Sequence, residues 1–282
     1  MFNINNKNIL ITGATSGIGK AATLRLAEMG ANIYFIARNK IKAKNLSQEI
    51  ERLTGRKVKY FIADLSSLKN IEDVVSEFQS MEIPLHILLN NAGLINNQRK
   101  ETVDGYEEVF AINHLAYFYL TYLLLDRLKA DPPSRVINVS SGAHAFVKGF
   151  DFNDVQAKEN YKPFQVYGYS KLANILFTKK LSTILESENI TVNCLHPGVV
   201  GTSFGQNNGK LQKLLFYIAK PFMRTSEKGA ETSIYLCSSP EVSDISGQYF
   251  YNCSIVKTTK WAQSKEDADR LWDLSKQLTG IL

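Results

Sequence analysis

The chain has 282 residues, of which 44% are hydrophobic and 21% charged, and its net charge is +6. This is ordinary globular composition, with length for one large α/β domain or two small ones. The modest charge comes without a long basic run carrying interleaved aromatics, which argues against nucleic acid as a partner. The three cysteines, Cys194, Cys237 and Cys253, lie far apart and show no disulfide or zinc spacing, so they read as plain thiols in a reducing compartment.

Residues 1–13 show no cationic region followed by an apolar core and cleavage site, and read as mature protein. Asn8–Thr12 is the first predicted strand. The turn Gly13-Ala14-Thr15-Ser16-Gly17-Ile18-Gly19 leads from it into a helix ending near Met29. Its spacing is GxxxGxG, and the missing side chains allow a pyrophosphate to approach the backbone at a helix N-terminus. A plain strand-to-helix turn is the alternative. Asn32–Ala37 is the second strand, followed by Arg38 and by a helix from Lys40 to Leu53. An acid at this strand end suits a ribose 2′-OH, and an arginine suits a 2′-phosphate. Arg38 therefore favours NADP(H) over NAD(H), because its planar fork matches phosphate.

Val58–Ala63 is the third predicted strand and Leu68–Phe78 a helix. Ile87–Asn90 is the fourth strand, and Val103–Leu128 is one long helix or two joined ones. Its apolar part, Leu115–Leu128, is shorter than the roughly 20 residues that cross a bilayer. It reads as a buried helix or a subunit-pairing one. Arg135–Val139 is the fifth strand, Tyr167–Glu186 a helix and Thr191–Leu195 the sixth strand. Ser226–Cys237 is a helix, Gln248–Tyr251 the seventh strand, and Ser264–Leu278 the closing helix.

Alternating strands and helices imply a doubly wound parallel sheet covered on both faces, in one α/β domain spanning 1–282. Two segments, about 142–166 and 198–225, fit no element. They follow strands, so they should emerge at the carboxyl edge of the sheet, where ligands bind.

Tyr167 and Lys171 lie four residues apart, on one face of the predicted helix. An ammonium beside a phenol favours the phenolate, which makes the tyrosine a better acid near neutral pH. Such a pair suits proton transfer to a carbonyl oxygen, although the same spacing also occurs on ordinary solvated helices.

The motifs together resemble the classical short-chain dehydrogenases/reductases. The likeness rests on Thr12–Gly19, Asp64-Leu65, Asn90-Asn91-Ala92-Gly93, Ser140-Ser141, Tyr167–Lys171 and Pro197-Gly198 with Thr202, in the family's order over nearly the whole chain. Tyr169–Phe177, His196–Val200 and the long spacer before Tyr167 look most like the retinol dehydrogenase-like branch.

That resemblance implies a Rossmann-type sheet of seven parallel strands in the order 3-2-1-4-5-6-7. It implies an oxidoreductase interconverting a carbonyl and its alcohol. Tyr167 would be the acid and base, with Lys171 lowering its pKa and holding the nicotinamide ribose. Ser141, rather than its neighbour Ser140, would hydrogen-bond the substrate oxygen. Asn113 would hold a water linking Lys171 to solvent. Gly13, Ser16, Gly17, Ile18 and Gly19 would wrap the pyrophosphate. Asp64 and Leu65 would flank the adenine. Asn91, Ala92 and Gly93 would line the cofactor side, with Asn91 near the adenosine ribose. Pro197, Gly198 and Thr202 would complete the cofactor site. His114, His144 and His196 have no metal spacing and read as structural.

Phe146, Phe150, Phe152, Tyr161 and Phe164 in one loop, and Phe204, Leu211, Leu214, Leu215, Phe216, Tyr217 and Phe222 in the other, make both loops apolar. They either line a pocket for a lipophilic or aromatic ketone, aldehyde or alcohol, or simply pack the loops down. The 204–223 stretch also suits an amphipathic helix touching a membrane or a partner. A cytoplasmic enzyme is expected, since the hydrophobic anchor common in membrane-bound retinoid relatives is not seen. The expected assembly is a homodimer or homotetramer, with a monomer as the alternative. A catalytically silent NADP(H)-binding scaffold, or a sugar-nucleotide epimerase or dehydratase, are the competing functions.

Overall fold

The computed structural model describes residues 2–200 and 224–281. Strands β1 (Asn8–Thr12), β2 (Asn32–Ala37) and β3 (Lys59–Ile62) alternate with helices α1 (Gly17–Glu28), α2 (Lys40–Thr54) and α3 (Leu68–Gln79). After β4 (Ile87–Asn90), α4 (Glu108–Phe110) runs through a π-helical segment (Ala111–Leu115) into α5 (Ala116–Leu123), and α6 (Leu125–Lys129) follows. Then come β5 (Ser134–Val139), α7 (Pro163–Ile184), β6 (Ile190–Leu195), α8 (Ser226–Ser238), β7 (Tyr249–Tyr251), β8 (Ser254–Ile255) and α9 (Lys265–Leu278).

The sheet order is β3-β2-β1-β4-β5-β6-β7-β8. The first seven strands pair in parallel, in the expected order, and β8 adds an antiparallel edge hairpin to β7. The sheet therefore has eight strands, one more than the sequence implied. The hairpin turn uses Asn252 and Cys253, both left-handed at φ 50° and 59°.

Every residue of β1, β4 and β5 is buried, as expected for strands covered on both faces. Ile9, Ile11, Phe35 and Leu89 face α1, α2 and α8, while Leu10, Phe61, Leu88 and Val136 face α3, α5 and α7. The apolar Leu115–Leu120 stretch is buried within the chain itself. Trp272 of α9 closes over it, with ring centroids 5.0 Å from Phe118 and 6.1 Å from Phe177. No helix among the described residues is long and apolar enough to cross a membrane.

Because β1 runs beside β4, their connections leave in opposite directions and open a crevice at the carboxyl edge. The turns after β1 and β4 both border it.

Candidate active site

Gly13 and Gly17 adopt φ of 67° and 52°, left-handed values that cost a side chain strain. A Cβ on Gly19 would collide with the Gly13 carbonyl and the Asn91 amide, and one on Gly13 would lie 2.8 Å from Ala92 Cα. The turn is thus pressed against the β4 end. Asn91 secures that contact by donating Nδ2 to the carbonyls of Thr12 at 2.9 Å and Gly13 at 3.2 Å. Thr12 Oγ1 in return accepts from Asn91 N and Ala92 N, each at 2.9 Å.

The N-terminus of α1 differs from those of α2, α3, α8 and α9. Asn39, Ser67, Thr225 and Ser264 each cap their own helices through the side chain. Ser16 occupies the same position on α1 and makes no such bond, although serine is a preferred cap. The Ser16 side chain thus does not cap the first N–H groups of α1.

Arg38 stands at the end of β2 with its side chain 69% exposed, and its NH1 lies 3.9 Å from Asp64 Oδ2. An exposed pair at that distance is weak. Asp64 also accepts from Ser66 N at 3.0 Å. Gly198, left-handed at φ 84°, follows Pro197 after β6, and Val200 pairs with Arg224. Gly229 of α8 lies where an added Cβ would meet Val200 and Ile18, so the end of the β6 loop reaches the glycine turn. Thr202 and the aromatic residues of 204–222 lie outside the described residues.

In the second half of the crevice Asn113, Ser140 and Lys171 are buried, while Ser141 and Tyr167 are half-buried. Ser140 is enclosed, and its hydroxyl donates to the Lys171 carbonyl at 2.7 Å. Ser141 is extended, accepts from Ala143 N at 3.1 Å, and hydrogen-bonds Tyr167. The two serines thus divide: one locks a helix to the sheet, the other faces the phenol.

Lys171 is 3% exposed. Its Nζ donates to the Val139 carbonyl at 3.0 Å and lies 5.6 and 5.7 Å from the ring centroids of Tyr117 and Tyr167. A Cβ on Gly93 would sit 3.3 Å from Asn113 Oδ1 and 3.5 Å from Lys171 Nζ, so the glycine makes room where these groups converge. Asn113 belongs to the π-helical segment, a local widening often found at functional sites. It donates Nδ2 to Leu94 O at 2.9 Å and accepts from Leu94 N at 2.8 Å.

Burial governs the charges. Desolvation pushes Tyr167 up to about 12, opposed in part by the Ser141 hydrogen bond, and pulls Lys171 down to about 7. The sequence pointed the other way for Tyr167, because spacing alone shows the ammonium and not the loss of water. Glu107, fully buried, caps α4 by accepting from Val109 N and Phe110 N, and burial raises it to about 7.

The loop aromatics split. Phe150 packs on Phe110, Phe152 and Tyr169, and Tyr161 donates to Asn96 O at 3.0 Å. Phe146 and Phe164 instead remain 74% and 64% exposed, in the segments that carry Ser141 and Tyr167. A cavity of about 120 Å³ lies beside α7, lined by Phe110, Phe150, Val166, Tyr169 and Ser170, and Tyr167 is not part of its lining.

His114 pairs with Ser275 Oγ at 2.9 Å, His144 with Ser141 O at 2.8 Å, and His196 stacks on Tyr251. No cluster able to hold a metal ion occurs among the described residues. Tyr117, missed in the sequence, flanks Lys171 and donates to Ala92 O at 2.8 Å. Its position four residues after Asn113 was the available signal.

Residues 7–213 match the family described as short chain dehydrogenase. The chain belongs to that family. This short chain dehydrogenase is 39% identical to mouse retinol dehydrogenase 12 over 99% of its own length and 88% of the relative's. It is 37% identical to human retinol dehydrogenase 14, covering 99% and 88% of the two chains. It is also 36% identical to human polyprenol dehydrogenase, covering 97% and 85%. A crystal structure of an uncharacterized protein from Mycobacterium paratuberculosis superposes with a TM-score of 0.80 at 27% identity, covering 99% of this chain and 96% of that one. This short chain dehydrogenase is therefore an oxidoreductase that interconverts an alcohol and a carbonyl, on a fold that binds a nicotinamide cofactor.

Proposed function

We propose that the protein is an NADP(H)-dependent oxidoreductase acting on a lipophilic or aromatic ketone or aldehyde and its alcohol. The reading is carried by one observation. Ser141, Tyr167 and Lys171, with Asn113 beside them, converge at the carboxyl edge of the sheet, across the crevice from a glycine turn whose serine leaves its own helix uncapped.

A dinucleotide fits that turn. Gly13, Ser16, Gly17, Ile18 and Gly19 would hold the pyrophosphate on free N–H groups, where a side chain on Gly19 would fill the space. Asp64 and Leu65 would border the adenine, Asn91, Ala92 and Gly93 the ribose side, and Pro197, Gly198 and Thr202 the carboxamide side. Arg38, exposed and only loosely tied to Asp64, supports NADP(H) by offering its fork to a 2′-phosphate. When bound, the cofactor supplies or accepts the hydride.

Ser141 and Tyr167 aim donors at the oxygen where negative charge grows. Tyr167, protonated at neutral pH, gives its proton in reduction and takes one in oxidation. Lys171, poised near neutrality, holds the ribose and eases that transfer. The exposed rings of Phe146 and Phe164 support a lipophilic substrate.

The test is NADPH and NADH oxidation with a panel of ketones, aldehydes and quinones, for the parent and Tyr167→Phe. Turnover should fall by about 10²–10⁴-fold in the variant while NADPH binding persists. Undiminished turnover would overturn the assignment, and parental NADPH binding with no turnover on any carbonyl would favour a silent binding protein.

A further inference from the structure

Ser170 directly precedes Lys171 on α7. It is 1% exposed. Its Oγ accepts from Asn113 Nδ2 at 3.0 Å and donates to the Tyr167 carbonyl at 2.8 Å. Both bonds stay within the group of residues around Tyr167.

The pattern fixes how Asn113 is oriented. Its two Nδ2 protons go to Leu94 O and Ser170 Oγ, and its Oδ1 accepts from Leu94 N. A flipped amide would set N–H against the Leu94 N–H and oxygen against the Leu94 carbonyl. Leu94 alone ties Asn113 to the loop after β4. Ser170 supplies the tie to α7, which carries Tyr167 and Lys171. Asn113 is thus held from two sides, by the loop after β4 and by α7.

We propose that Ser170 is a positioning residue of the alcohol–carbonyl reaction: its hydroxyl couples the Asn113 amide to the helix turn between Tyr167 and Lys171, and so sets how fast Tyr167 is supplied with a proton. The proposal rests on the roles given to Tyr167 and Lys171 above, and on Asn113 as the residue that holds a water linking Lys171 to solvent. Ser170→Ala would leave one buried amide proton without an acceptor and remove the hydrogen bond that joins the Asn113 side chain to α7. Threonine keeps the hydroxyl, and the cavity beside α7, which Ser170 helps to line, has room for its methyl group.

The experiment uses the full chain with NADPH and the carbonyl compound turned over fastest in the panel. Steady-state rates are measured in H2O and D2O for the parent, Ser170→Ala, Ser170→Thr, Asn113→Ala and the Ser170→Ala/Asn113→Ala pair. Ser170→Ala should lower kcat roughly ten-fold while the KM for NADPH moves less than about two-fold. Its solvent deuterium effect on kcat should rise, because proton supply becomes limiting. Ser170→Thr should restore most of the rate. The double variant should be no slower than Asn113→Ala alone, since the hydroxyl acts through the amide.

Parental kcat and solvent effect in Ser170→Ala, with Tyr167→Phe inactive, would overturn the proposal and leave the catalytic reading standing. Multiplying losses in the double variant would also overturn it. If Asn113→Ala does not fold, Ser170→Ala against Ser170→Thr decides, and equal losses in both count against the hydroxyl. Turnover retained by Tyr167→Phe would instead remove the reading underneath.

Discussion

Around Gly13–Gly19 the crevice is made by taking side chains away, and Arg38 beside it stands 69% exposed. Around Lys171, itself 3% exposed, it is made by enclosing polar groups: Asn113, Ser140 and Ser170 are all buried. The difference follows from what each half is suited to do. An anion held by several backbone N–H groups needs close approach and little else. A proton transfer needs polar groups held in fixed places with little water between them, and that same enclosure pushes Tyr167 up to about 12 and Lys171 down to about 7.

This contrast can be broken from either side. Gly19→Val should have the largest effect, because its side chain would meet the Gly13 carbonyl and the Asn91 amide. NADPH affinity, read by fluorescence titration, should fall on the order of 100-fold, or about 2.7 kcal/mol. The buried half should keep its fold, visible as an unchanged far-ultraviolet circular dichroism spectrum. Arg38→Asp comes next. The ratio of NADPH to NADH efficiency should drop roughly ten- to a hundred-fold, the range of one lost charge-assisted contact. An unchanged ratio would place the 2′-phosphate elsewhere.

The smallest effect is one of stability. Burial holds Lys171 at about 7, below its ordinary 10.5. Between those values the unfolded chain keeps a proton that the folded chain has released, so stability rises with pH across that window. Lys171→Met should flatten that rise and raise the Tm of the cofactor-free protein by a few degrees at pH 7. A thermal melt series from pH 6 to 10 checks both.

Much of the frame was legible because strands buried on both faces are continuous apolar runs. β1, β2 and β4 fall where the sequence put them, and β5 and β6 each begin one residue earlier. The last strand, Ser254–Ile255, was not legible: it is two residues long, and Asn252-Cys253 lacks the glycine that marks a tight hairpin. The helix expected over Val103–Leu128 begins only at Glu108, because Val103 and Gly105 sit in a turn ahead of Glu107. Its π-helical segment left no trace in the apolar pattern, since nearly every residue there is buried and periodicity vanishes.

For the crevice, the motifs gave the residue types and their neighbours in the chain. They could not separate Ser140 from Ser141 by chemistry, and only packing gives the first to a backbone carbonyl and the second to Tyr167. Nor could they sort the loop aromatics, because whether Phe150 lies inward and Phe146 outward depends on Phe110 and Tyr169, far off in sequence. Desolvation of Tyr167 has the same origin.

The two tryptophans of the chain turn this architecture into a built-in optical assay. Trp272 rests on Phe118 and Phe177 in the main core, whereas Trp261 lies over Gly149 in the loop that follows Ser141. Replacing one indole at a time with phenylalanine leaves a single emitter in each place. Loosening of the loop can then be followed apart from melting of the core, by colour alone.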